Sequence, residues 1–184
     1  MEFKTKTNWC VITGAPSSGK TSVIEELIRR GYKTEPEVAR DLIEDCLMRG
    51  EKIEQVREKN EWLQKEILRL KLAREESQDP EQLVFLDRGI PDSLTYFRIA
   101  GLDLTAAKAA SCKFHYRCIF IFDRLSLVQD GIRTESDEIA RQIDISLEQD
   151  YRELGYSPVR VPILSIKARA DFILRFLEEE KTGE

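Results

Sequence analysis

The sequence predicts a three-layer α/β/α domain, doubly wound, with helices on both faces of a five-stranded parallel sheet. Two observations carry that prediction. Five short apolar, β-rich runs are separated by runs with helical periodicity, the alternation that crossover-linked parallel strands require. The first apolar run also passes directly into a glycine-rich turn and then a helix. The chain of 184 residues, 41% hydrophobic and 34% charged, suits one globular domain over residues 1–184 with a well-buried core.

Taken in order, Trp9–Thr13 is the first strand. Thr21–Arg30 is a helix by pattern, with Val23, Leu27, Ile24 and Ile28 turned inward and Gly31 as its stop. Tyr32–Thr34 is a short second strand, ended by Glu35-Pro36. The helix over Glu37–Met48, closed by Gly50, presents Val38, Leu42, Cys46 and either Leu47 or Met48 as its apolar stripe. Glu37, Arg40, Asp41 and Glu44 share its opposite face. Glu54–Glu76 reads as a longer helix with Val56, Leu63, Ile67 and Leu70 near a heptad seam. Asn60 breaks that seam, so packing within the chain is favoured over a coiled-coil homodimer, which stays open as a partner. Gln82–Leu86 is the third strand, ending at Asp87, and Arg117–Phe122 the fourth, ending at Asp123. Val159–Leu164 is a fifth, edge strand, because Pro162 interrupts it. The last helix, Ala168–Glu180, has Phe172, Ile173, Phe176 and Leu177 as its buried stripe.

The turn after the first strand reads Gly14-Ala15-Pro16-Ser17-Ser18-Gly19-Lys20-Thr21, the full G-x-x-x-x-G-K-[ST] pattern, followed by Ser22. A loop that wraps phosphate must bring backbone N–H groups close and in parallel, and Gly14 and Gly19 permit that approach. Lys20 supplies a point charge for the β- and γ-phosphates, and the Thr21 hydroxyl is placed to ligate Mg²⁺. The following helix turns its positive end to the same anion. Residues 14–22 are therefore the expected nucleotide site of a P-loop NTPase, with ATP and Mg²⁺ as cofactors. Asp87, which closes the most apolar strand, is the expected second metal ligand; the alternative is a plain turn residue.

The loop alone does not separate a kinase from an ATPase or a GTPase. The guanine-reading N-K-x-D is missing after the fourth strand, where Asp123-Arg124-Leu125-Ser126 stands. Arginines instead occupy places useful for phosphoryl transfer. Arg88 follows Asp87, and a lid over about residues 124–141 carries Arg124, Arg133 and Arg141. Arg133 is assigned to charge neutralisation on the migrating group, against a solvated surface charge as the alternative. Acceptor-side helices are expected over about residues 37–77, where Glu37 either orients an acceptor hydroxyl or caps its helix. Glu35 is a further acidic candidate, and Lys167 or Arg169 is a candidate to flank a purine ring.

The net charge of −5 argues against a general nucleic-acid binder. No run of about 18 apolar residues is present, so no membrane partner is expected. A charged N-terminus and four cysteines without metal-ligand spacing (Cys10, Cys46, Cys112, Cys118) suggest a cytoplasmic protein with free thiols.

The segments "CVITGAPSSGKTSVIEEL", "EPEVARDLI", "VFLDRGIPDSLTYFRIAG", "FDRLSLVQDGIRTES" and "YRELGYSPVRVPILSIKARADFIL" together resemble the P-loop ATPase/kinase family, an AAA-type ATP-binding domain that includes bacterial nicotinamide-riboside kinase domains. Eukaryotic GTP- and phosphoinositide-binding relatives belong to the same family. The resemblance implies an ATP-dependent, Mg²⁺-using protein with a nucleoside/nucleotide-kinase-like fold and strand order 2-3-1-4-5. The resulting expectation is a kinase that passes the γ-phosphoryl of ATP to a hydroxyl of a nucleoside-like acceptor, through Lys20, Glu37, Asp87 and Arg133. The alternative is a nucleotide-dependent ATPase or GTPase switch without a small-molecule acceptor.

Overall fold

The computed structural model describes residues 3–125 and 137–182. In chain order the elements are β1 (Thr5–Lys6), β2 (Trp9–Thr13), α1 (Lys20–Arg29), β3 (Lys33–Glu35), α2 (Val38–Met48), α3 (Ile53–Glu58), α4 (Asn60–Glu76) and β4 (Val84–Asp87). There follow α5 (Asp92–Ile99), α6 (Thr105–Ser111), β5 (Phe114–His115), β6 (Cys118–Phe122), α7 (Asp137–Glu153), β7 (Val159–Val161) and α8 (Ile166–Thr182). The main sheet is five-stranded and parallel throughout, in the order β3-β4-β2-β6-β7. Counted along the chain this is 2-3-1-4-5, the predicted order.

The alternation of side chains along the strands assigns each residue to a layer. Trp9, Val11, Val84, Leu86, Ile119 and Ile121 pack on one face with Leu68 of α4, Leu94 and Phe97 of α5 and Tyr151 of α7. Cys10, Ile12, Phe85, Cys118, Phe120 and Phe122 pack on the other, under Val23 and Leu27 of α1 and Ile173 and Leu177 of α8. Because both faces are covered, β2, β4 and β6 are buried at every position, which is why they read as unbroken apolar runs.

A third cluster stands apart from the sheet. Val38, Leu42 and Cys46 of α2, Val56 of α3, and Leu63 and Ile67 of α4 bury one another. The single helix expected over Glu54–Glu76 is two, parted at Lys59. That break lets Val56 turn into the α2–α4 core, so the seam residues pack within the chain.

Other expectations shift. Ile28 is 54% exposed and Met48 78%, and Leu47 is exposed too, so the buried stripes end at Leu27 and Cys46. The final strand stops at Val161, before Pro162. The sequence gives no signal for the small parallel pair β1–β5, whose strands are two residues each. Arg133 and most of the expected lid fall outside the described residues.

Core and rim positions predict different costs. Phe120→Ala, at a wholly buried position of β6, should lower unfolding free energy by about 3–5 kcal/mol. Met48→Ala should stay within about 0.5 kcal/mol of the parent. Urea denaturation of both variants checks this, and a large loss in Met48→Ala would place that side chain in a core.

Candidate active site

Between β2 and α1 the chain folds back across the carboxyl end of the sheet. Gly14 sits at φ +140°, and a Cβ there would lie 2.9 Å from the Phe122 carbonyl oxygen on the adjacent strand. Only glycine fits that approach. Ser17 holds φ +62° without that freedom, a strain kept by the surrounding packing. Ala15 is buried with Ile143 and Leu147 of α7, which fixes the outer curve of the loop. Lys20 opens α1, and its Nζ donates to the Gly14 carbonyl (3.1 Å), the Ala15 carbonyl (3.0 Å) and Ser18 Oγ (3.1 Å).

The inner side of the loop is braced from far along the chain. Arg169, in the first turn of α8, donates through Nη1 to the Ser18 carbonyl (2.6 Å) and through Nε to the Pro162 carbonyl (2.9 Å). Its guanidinium lies over the Phe122 ring, 5.2 Å from the centroid. The side chain is buried, with Nη2 lacking a partner among the described residues. Arg169 therefore reaches the glycine-rich loop itself, and among the described residues Lys167 makes no side-chain hydrogen bond to that loop.

The second half of the site forms where β4 ends. Arg88 takes φ +66°, and its N–H donates to the Ile12 carbonyl at 3.0 Å. Its side chain turns back to donate to Glu37 Oε1 (2.7 Å) and Asp92 Oδ1 (3.3 Å). Glu37 precedes α2 but makes no side-chain cap; its carboxylate goes to Arg88 instead. Asp92 also accepts from the Thr13 hydroxyl, the Gly89 N–H (3.1 Å) and the Tyr151 hydroxyl (2.6 Å). Beneath this loop, Arg74 donates to the carbonyls of Pro36 (2.7 Å) and Arg88 (2.9 Å). Glu75 accepts from Tyr116 Oη at 2.7 Å.

One cavity of about 860 Å³ joins the two halves. Pro16 to Ser22 line one end; Glu37, Arg40, Lys71, Arg88, Ser93 and Tyr96 line the middle; Ala39, Ile43, Leu63 and Ile67 give an apolar far wall. Of the residues singled out in the sequence, Lys20, Thr21, Glu37 and Arg88 meet in this cavity, and Asp87 is buried beside it. Lys71, Arg74 and Glu75 carry no motif that marks them in the sequence, and Arg169, a candidate there to flank a purine ring, instead reaches the Ser18 carbonyl.

Burial is the dominant influence on the charges. Burial, then Arg88, pushes Lys20 down to about 7 against the pull of Asp87 and Glu37. Burial, then Glu37, pushes Asp87 up to about 6. For Glu37 burial also works upward, but Arg88, Lys20 and Lys71 together hold it below the usual carboxylate range. Among the described residues no group of three or more His, Cys, Asp or Glu gathers as a metal cage. A Mg²⁺ that binds with nucleotide needs fewer protein ligands, since phosphate oxygens and water complete its shell. Asp87 fits such an ion, because its Oδ1 is buried with no hydrogen-bond partner among the described residues.

Comparison with known proteins bears on the fold that carries this cleft. A family described as an AAA domain matches residues 9–169. No curated protein matches the sequence. Among solved structures, a deoxyadenosine kinase from M. mycoides, with the products dCMP and a flexible dCDP bound, superposes with a TM-score of 0.62 at 14% identity, over 93% of this chain and 99% of that one. Thymidylate kinase from Ehrlichia chaffeensis gives 0.60 at 13% identity, over 95% and 100%. A NadR protein in complex with NR gives 0.62 at 17% identity, over 84% of this chain and 45% of that chain. The present chain thus matches less than half of that protein. These likenesses show the nucleoside- and nucleotide-kinase-like fold that the sequence predicts.

Two expectations follow from the geometry. A phosphate seated on Lys20 would need it protonated, and a metal held by Asp87 would need it ionised. The association constant of Mg–ATP should therefore fall as pH drops through about 6 and fall again as pH rises through about 7, with proton uptake on the alkaline limb. Calorimetry in buffers of different ionisation enthalpy reads both limbs, and a flat profile would contradict them. In Arg169→Met, loss of the brace on Ser18 should weaken ATP and ADP about tenfold and leave AMP within about twofold. Equal losses for all three would put Arg169 at the base, and no loss would leave it a packing residue.

Proposed function

The chain belongs to the AAA domain family, and from that premise we propose an ATP-dependent kinase that transfers the γ-phosphoryl group to a hydroxyl of a nucleoside-like metabolite. The observation that carries this reading is the continuity of the cleft. Phosphate binding occupies the end lined by Pro16 to Ser22, and the remaining chamber, with Glu37 at its entrance and apolar walls beyond, is room for a second molecule.

The residues divide the work by position. Gly14 to Gly19 present backbone N–H groups, and Lys20 gives up its bonds to the loop carbonyls for phosphate oxygens. Ser22 lines the same end. Thr21 and Asp87 would hold Mg²⁺, which when bound neutralises charge across the β- and γ-phosphates. Glu37, kept ionised by its cationic neighbours, accepts the acceptor hydroxyl's hydrogen bond and aligns its oxygen with phosphorus. Arg88 stands between Glu37 and the phosphate end, where its fixed charge favours the transferring group. Arg133 is assigned from the sequence alone to close over the same charge.

The test is ADP release with Mg–ATP across a panel of nucleosides and other hydroxylated metabolites, with product identification by mass spectrometry. Acceptor-stimulated release with a phosphorylated product is the expected result. Slow hydrolysis indifferent to every acceptor would overturn the kinase reading in favour of a nucleotide-dependent switch. Lys20→Ala should cut turnover at least about a hundredfold. Glu37→Gln should cut transfer by about 10²–10⁴ while ATP affinity stays within about twofold; normal transfer would remove Glu37 from the mechanism.

A further inference from the structure

Lys71 is a buried cleft residue that the proposed chemistry leaves without a task. It lies in the middle of α4, is 3% exposed, and still lines the cavity. Its ammonium carries three donors, yet its one hydrogen bond among the described residues goes to the Gly89 carbonyl, at 2.7 Å. No carboxylate among the described residues stands within ion-pair distance of it. The nearby acids are already committed. Asp92 spends one oxygen on Thr13 and Arg88 and the other on Gly89 and Tyr151. Glu75 spends its two on Arg74 and Tyr116.

The rest of the chamber has the same imbalance. Arg40, on the first turn of α2, also lines the cleft and makes no side-chain hydrogen bond or ion pair among the described residues. Among the described residues Glu37 is the only acid in the lining, and Arg88 already holds it. A buried, unpaired ammonium costs several kcal/mol and is normally neutralised or removed. Consistent with that cost, burial pushes Lys71 down to about 8, with Arg74 and Arg88 adding to the effect against Asp92.

We propose that the acceptor chamber is built for an anionic molecule, whose phosphate or carboxylate group is seated on Lys71 with Arg40 at the mouth. The inference rests on the kinase reading of the same cleft and narrows its substrate class to hydroxyl compounds that already carry a negative oxyacid group. A neutral acceptor would leave the buried Lys71 uncompensated. An anionic one supplies the counter-charge that the chain withholds, and a charge-assisted bond in a partly enclosed site favours it over its neutral parent.

The test reads Lys71 directly and does not depend on turnover. Protein carrying ¹³Cε-labelled lysine is saturated with Mg²⁺ and a non-hydrolysable ATP analogue, which fills the phosphate loop. Inorganic phosphate, acetate and ribose are then titrated in turn. The Lys71 signal is assigned by its absence in Lys71→Arg. Inorganic phosphate or acetate should move that signal saturably, and ribose should not. Response to phosphate alone assigns a phosphate ester, and response to acetate alone a carboxylate. Calorimetric binding of the effective anion should weaken at least about tenfold in Lys71→Met and about threefold in Arg40→Ala. Lys71→Met should melt no lower than the parent, because a structural lysine would lower the melting temperature and an uncompensated one would not. Arg40 is exposed, so its variant keeps the measurement available whatever Lys71→Met does to folding. Silence of the Lys71 signal to both anions, or equal response to ribose, overturns the proposal. If no acceptor is phosphorylated while the signal still moves, the kinase reading fails and the anion seat stands.

Discussion

The site depends on one guanidinium. Arg88 leaves β4 in a left-handed conformation that costs a non-glycine residue about 1–3 kcal/mol, and the interactions around it explain why the chain keeps it there. Its N–H closes on β2 through the Ile12 carbonyl. Its carbonyl is held by Arg74, and its side chain binds Glu37 and Asp92 at once. The turn thereby ties β2, the loop before α2, α4 and the start of α5 to a common point. If that point moved, the glycine-rich loop and the rest of the cleft would no longer face each other. Buried ion pairs contribute little net stability, so this cluster is better understood as fixing geometry than as holding the protein together. The two apolar layers on the sheet do that.

Much of this was legible in the sequence, and the legible part has a common cause. The strands of the sheet's middle are buried on both faces, so their composition alone reveals them. The phosphate loop is a contiguous stretch whose function rests on backbone freedom, and glycine records that need locally. Asp87 stands out in the sequence because it ends a strand. Glu37 was not decided: an acid before a helix is also a good cap, and only the position of Arg88 shows that its carboxylate goes elsewhere.

The residues that escaped notice act at a distance. Lys71 and Arg74 sit on a helix whose sequence is rich in ordinary surface charges, and nothing in their spacing separates them from the exposed Lys65 and Arg69. They differ only because α5 and the β4 turn cover them. Asp92 looks like a helix-start acid, yet it joins Thr13 to Tyr151, 79 and 59 residues away. The helix break at Lys59 and the exposure of Met48 belong to the same class, since each is decided by the cluster that α2, α3 and α4 form together.

The brace from Arg169 to Ser18 spans 151 residues, and this gives synthesis of the chain a definite order. The glycine-rich loop leaves the ribosome early, but the arginine that sets its inner side, and the helix that carries it, emerge 151 residues later. Until α8 has emerged and docked, Ile12, Phe120 and Phe122 have one face bare and the loop lacks its clamp. A nascent chain in that state is more apt to meet a chaperone than a nucleotide. A competent loop therefore has to wait for α8 to dock, however early its own residues are made.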